Sequence, residues 1–278
     1  MSDMNMNSYS VWRMLMPSPS SPFPSTTGIW EAISAEPALS AGFAAILIAF
    51  IYAEISTRAA RRRTEAGATR NTLKTMTETI LMLWMLGSVC LVCWMASGRD
   101  LAGLGLILPN LSGPEAWRGW LSWAAAIALT LFLLSQLLPL RTQEGREAMA
   151  KALSGMEGVD MIQPRTPVEH RRFQLMAFSA GWNEEIIFRG FLMGALALYL
   201  PLWIAALTSM IIFIGFHTYQ GVSGMIRIIP ITIGMTGLVV LSGSLWPAIV
   251  VHVAADVVGG LYLYLSQPSA ERLSRAAP

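Results

Sequence analysis

Two glutamates, an arginine, two histidines and an aspartate recur at helical spacing in a stretch otherwise almost free of charge. They read Glu184-Glu185-x-x-x-Arg189, Phe213-x-x-x-His217 and His252-x-x-x-Asp256. Between Phe173 and Ala270 only seven residues are Asp, Glu, Lys, Arg or His; the motifs hold six of them and Arg227 is the seventh. A soluble stretch carries roughly 25% charged residues. Near a bilayer centre each charge costs roughly 2.5–3.5 kcal/mol on insertion scales, so charges kept at i, i+4 spacing mark a working site.

The spacing divides the work. Neighbouring helix residues point about 100° apart, so Glu184 and Glu185 cannot share one role. Glu185 and Arg189 can pair on one face, which offsets much of the cost of burying both. Glu184 is left without a local cation and is free for general acid or base work. His217 and His252 are two of three histidines in the chain; the third, His170, precedes the stretch. Phe213, one turn before His217, can seat the imidazole by packing. Asp256, one turn after His252, can accept from a ring N–H and fix the tautomer. Glu184, His217, His252 and Asp256 can thus run a metal-free hydrolysis, in which carboxylate and histidine activate water and the second histidine stabilises an oxyanion. A His₂Glu set is also a catalytic zinc shell, so Glu184, His217 and His252 are the ligands if zinc is present, although no H-E-x-x-H helix supports it. No metal is assigned and no cofactor is favoured. The bland alternative is a buried polar clasp between helices, which needs only one carboxylate.

Such residues need helices to hold them in a membrane. The chain has 278 residues, 54% hydrophobic and 13% charged, with mean hydropathy +0.52. Residues 37–53, 79–97, 119–140, 191–216 and 228–251 contain none of the five ionisable types. A spanning helix needs about 20 mostly apolar residues, and the alternation of a membrane barrel is missing. The fold class is all-α: a polytopic membrane helical bundle with about seven transmembrane helices, six to eight at the limits. The expected spans are 37–55, 78–97, 119–140, 173–199, 202–217, 228–244 and 246–266. Residues 101–114, apolar but rich in Gly and Pro, read as a loop or re-entrant piece.

Around the spans, residues 1–36 form a flexible N-terminal segment with a Pro-rich extended stretch at 17–24. Three accessory helices occupy 37–140, a cytoplasmic loop 141–172, the motif-bearing core 173–266 and a cytoplasmic tail 267–278. Arg58, Arg61, Arg62, Arg63, Arg70 and Lys74 crowd one connection, and 141–172 holds six more basic residues. The positive-inside rule then sets the N-terminus outside and the C-terminus in the cytoplasm. The basic run is topogenic; no nucleic-acid partner is indicated. Cys90 and Cys93, in an apolar run, read as packing residues. Arg227 snorkels to the interface. Gly190, Gly194, Gly234 and Gly237 permit close helix approach. These helix ends put His217 near the inner face and His252 nearer the outer one, so a single site requires a shortened, tilted or re-entrant helix.

In order and spacing the three motifs resemble those of the CAAX-protease and bacteriocin-processing (CPBP) family of intramembrane endopeptidases, over roughly residues 170–265. That family shows E-E-x-x-x-R, F-x-x-x-H and H-x-x-x-N or D. The resemblance implies that Glu184 activates water with His217, that His252 and Asp256 serve the oxyanion side, and that Glu185 and Arg189 support them, in a reaction best explained without metal although the family is often called metalloprotease. It implies a membrane-associated or lipidated peptide as substrate, at the plasma (inner) membrane. Asn is usual where Asp256 stands; an ionised Asp cannot donate to an oxyanion and is expected to orient His252. Two other readings remain: a non-catalytic membrane immunity or scaffold protein of the same family, and a proton-coupled transporter, which the lack of internal repeats disfavours.

Overall fold

The structure is a computed structural model that describes residues 28, 31, 34–67, 71–153 and 162–267. Nearly all of the N-terminal segment, its stretch 17–24, Arg70, and the tail from 268 lie outside the described residues. The described residues are helical, with no strand among them. The helices are α1 (Pro37–Glu65), α2 (Thr72–Ala96), α3 (Ala116–Ser135), α4 (Gln143–Leu153), α5 (Pro167–Glu184), α6 (Met193–Ala197), α7 (Leu202–Gly215), α8 (Gly221–Ser242) and α9 (Trp246–Leu265). A π-helical stretch, Glu185–Leu192, joins α5 to α6 without a break, and a 3₁₀ turn, Thr218–Gln220, precedes α8.

Local chemistry sets the helix starts. Asn71 accepts from the Lys74 amide at 2.9 Å and caps α2. Thr166 and Glu169 form a reciprocal capping box on α5, with Pro167 in the first turn where its missing N–H costs nothing. α8 ends at Gly243 in the left-handed region, φ 67, which needs no Cβ there.

Five segments are long and apolar enough to cross a membrane: Pro37–Glu65, Thr72–Ala96, Ala116–Arg141, Thr218–Ser242 and Trp246–Leu265. Their outer faces expose large apolar side chains such as Leu47, Ile51, Leu81, Met85, Ile127 and Phe132. A soluble surface rarely shows so continuous an apolar band. The protein is an integral membrane protein with a polytopic helical bundle. The two remaining expected spans, 173–199 and 202–217, are helical but fail on length or charge. Residues 173–199 carry three charges, Glu184, Glu185 and Arg189, on a helix packed against α2 and α9; α7 has only 14 residues.

Two sequence expectations change. Arg58, Arg61, Arg62 and Arg63 belong to the last turns of α1, not to a loop, where cations suit the helix dipole. Gly190 and Gly194 do sit at close approach, to Leu104 and Trp94, but a Cβ on Gly237 would meet nothing within 4 Å. Gly237 instead faces a groove of about 570 Å³ between α7 and α8. Residues 101–107 form turns that tuck inward: Leu104 is buried, and Gly105 O accepts from the Leu245 amide at 2.8 Å. Cys90 and Cys93 are free and buried, in keeping with packing residues.

Candidate active site

α7 has 14 residues, about 21 Å at 1.5 Å per residue, and His217 follows two residues after its end. α9 begins behind the inward-tucked 101–107 segment, with Ser244 and Leu245 fully buried. The two imidazoles flank one side chain: Phe213 lies 4.6 Å from the His217 ring and 6.0 Å from the His252 ring, centroid to centroid.

Glu185 is the base of the constellation. It is 0% exposed, and Arg189 is 1% exposed. Its Oε1 accepts from Arg189 Nη1 at 2.8 Å and from His252 Nδ1 at 2.7 Å. The pair expected from i, i+4 spacing is thus a three-membered network. Arg189 also stacks on Phe213, with its guanidinium carbon 4.2 Å from the ring centroid, and its Nε reaches Thr236 Oγ1 at 3.4 Å. A desolvated cation–π contact adds about 2 kcal/mol. Phe213 seats the imidazole, as expected, and holds the arginine as well.

With Nδ1 of His252 given to Glu185, Nε2 faces the other two carboxylates. Glu184 Oε2 stands 3.6 Å away and Asp256 Oδ2 3.8 Å away. Asp256 is therefore near enough for charge interaction, while the hydrogen bond that orients the ring comes from Glu185. The one-turn spacing of His252 and Asp256 could not reveal this, because Glu185 arrives from another helix. Glu184 Oε2 is buried and has no hydrogen-bond partner, and the same holds for Glu185 Oε2 and Arg189 Nη2.

His217 is set differently. Its Nδ1 lies 2.8 Å from the Phe213 carbonyl. A carbonyl only accepts, so Nδ1 carries the proton and a neutral ring keeps its Nε2 lone pair. Phe188 packs on Phe213 and Phe216, and Ser209 Oγ donates to Phe188 O at 2.7 Å, capping a carbonyl of the π stretch. Thr236, Ser209 and Tyr219, whose ring is 5.8 Å from that of His217, join the site's surroundings without having been singled out. A Thr or Ser in an apolar helix carries no distinguishing pattern; only Tyr219, two residues past His217, had proximity as a signal.

Among the described residues no group of three His, Cys, Asp or Glu is arranged to hold a metal ion. Of the three zinc candidates, His252 gives Nδ1 to Glu185 and turns Nε2 towards Glu184 Oε2, 3.6 Å away.

A family model described as type II CAAX prenyl endopeptidase Rce1-like matches residues 171–258. Neither the curated proteins nor the solved structures contain a match to the chain. The matched segment runs from α5 into α9 and contains all three motifs, so over residues 171–258 this chain is similar to the Rce1-like type II CAAX prenyl endopeptidases.

Proposed function

We propose that this protein is an intramembrane endopeptidase that hydrolyses a peptide bond in a membrane-associated or lipid-anchored substrate. The observation that carries the proposal is Glu184 facing His252 Nε2 at 3.6 Å above a buried Glu185–Arg189 base. Glu184, with His217, takes a proton from water as the water oxygen attacks the scissile carbonyl carbon. His252 Nε2 donates to the oxyanion that forms, and Asp256 holds that ring's charge in place. The intermediate collapses, the C–N bond breaks, and the proton passes from Glu184 to the leaving amine. The chain's own residues supply the whole sequence, so no cofactor is favoured. Basic residues at the end of α1 and in 141–172 support an N-terminus outside and a C-terminus in the cytoplasm, at the plasma (inner) membrane.

The test uses purified full-length protein and a panel of membrane-tethered peptides, with and without chelator. Glu184→Gln should lose activity by about 10³-fold or more, since acid–base catalysis alone contributes 10²–10⁴. Wild type and Glu184→Gln cleaving equally would sink the proposal. A cellular phenotype that survives loss of both Glu184 and His217 would favour the immunity or scaffold reading.

A further inference from the structure

Phe50, Glu54 and Arg61 lie on one face of α1, because steps of four and seven residues return to within about 40° of the same direction. All three meet the short link between α7 and α8 that carries His217. The Phe50 and Phe216 rings meet edge-on, 5.1 Å between centroids. Thr218 Oγ1 donates to Glu54 Oε1. Arg61 Nη2 donates to the Tyr219 carbonyl at 3.0 Å. Arg58 braces the other Glu54 oxygen at 3.2 Å. The two polar contacts join residues 164 and 158 positions apart in the chain.

The link is where His217 leaves helical geometry. α7 ends at Gly215, His217 has φ −99 and ψ 15, and Gly221 at φ 71 turns the chain into α8. The imidazole rests against Phe213 on one side and has Tyr219 on the other. A shift of Thr218 or Tyr219 therefore moves the backbone of His217 and one ring it packs against. Both anchoring bonds involve an ionised partner and belong to the stronger class of hydrogen bond. The family match begins at residue 171, so α1 lies outside it.

We propose that Glu54 and Arg61 are positioning residues for His217: through Thr218 and the Tyr219 carbonyl, α1 fixes where the imidazole stands. The effect on rate rests on the hydrolytic reading above; the clamp itself does not. A misplacement of about 1 Å in a catalytic group costs on the order of 100-fold in rate.

The experiment compares Arg61→Ala and Thr218→Val with the conservative Arg61→Lys and Thr218→Ser in the full-length protein. Imidazole NMR of ¹⁵N-histidine protein resolves three histidines, and His217→Gln identifies the signal in question. Arg61→Ala and Thr218→Val should move or broaden the His217 resonance and leave His170 and His252 in place, with recovery in Thr218→Ser. In the peptidase assay kcat should fall about 10- to 100-fold with KM within about twofold. An unmoved His217 resonance in both disruptive variants overturns the clamp, whatever the activity. A moved resonance with unchanged kcat overturns the catalytic role of the clamp. Wild type no more active than Glu184→Gln sinks the hydrolytic reading instead, while the resonance still decides the clamp. If Arg61→Ala fails to accumulate, the Thr218 pair carries the same readout.

Discussion

Glu185 Oε1 serves Arg189 and His252 at once, so removing any of the three leaves a buried polar group without its partner. Breaking a buried charge pair from one side costs about 3–5 kcal/mol. Arg189→Met should therefore destabilise the fold by about that much, and it also loses the stack on Phe213. Glu184 makes no hydrogen bond through its buried Oε2, so Glu184→Gln should stay within about 1 kcal/mol of wild type. Denaturant titration in detergent micelles measures both. The opposite ranking would make Glu184 the structural residue and Arg189 the dispensable one.

At the scale of elements, the site exists because two helices approach more closely than ordinary side chains allow. A Cβ on Gly181 of α5 would stand 2.7 Å from the Val253 backbone nitrogen of α9, one residue beyond His252. Backbone cannot yield as a flexible side chain does. Gly181→Ala should push α9 away from α5, lengthen the Glu185–His252 bond and cost about 1–3 kcal/mol by overpacking. A thermal melt reads the destabilisation, and an unchanged melting point would mean that the helices are not in contact there. The π stretch Glu185–Leu192 is the second device. Its i→i+5 bonding shows at the Phe188 carbonyl, which accepts from the Met193 amide and also from Ser209 Oγ of α7 at 2.7 Å.

Across the whole molecule, the end opposite the basic turns of α1 is tied by a clamp of its own. Arg99 holds both Glu36 carboxylate oxygens, at 2.6 and 2.9 Å, and Tyr199 donates to the same carboxylate at 3.2 Å. This joins the start of α1 to the ends of α2 and α6. The hydrogen bond from Arg99 holds the Glu36 carboxyl below its ordinary 4.5. A carboxyl lowered by folding adds stability above its ordinary value, and that stability is lost as pH falls through the folded value. The melting-point advantage of wild type over Glu36→Gln should be full above about pH 4.5 and shrink below it. A difference that stays constant on acidification would remove the clamp from the stability of the fold.

The sequence alone determined the class of the protein and the residues that converge. Uncharged runs required apolar helices, because burying backbone in lipid leaves no other open structure. The cost of intramembrane charge then pointed to Glu184, Glu185, Arg189, His217, His252 and Asp256, and Phe213 followed from one-turn spacing. What it could not give were relations between helices. That Glu185 rather than Asp256 accepts from His252 Nδ1, that Phe213 carries Arg189 as well as His217, and that α1 grips the turn after His217 all depend on side chains brought together across 24 to 164 positions. Helical periodicity reports which face a residue occupies, but not which other face it meets. The two histidines are related in the same way: the rings of His217 and His252 lie 4.6 and 6.0 Å from that of Phe213, a proximity that no single helix predicts.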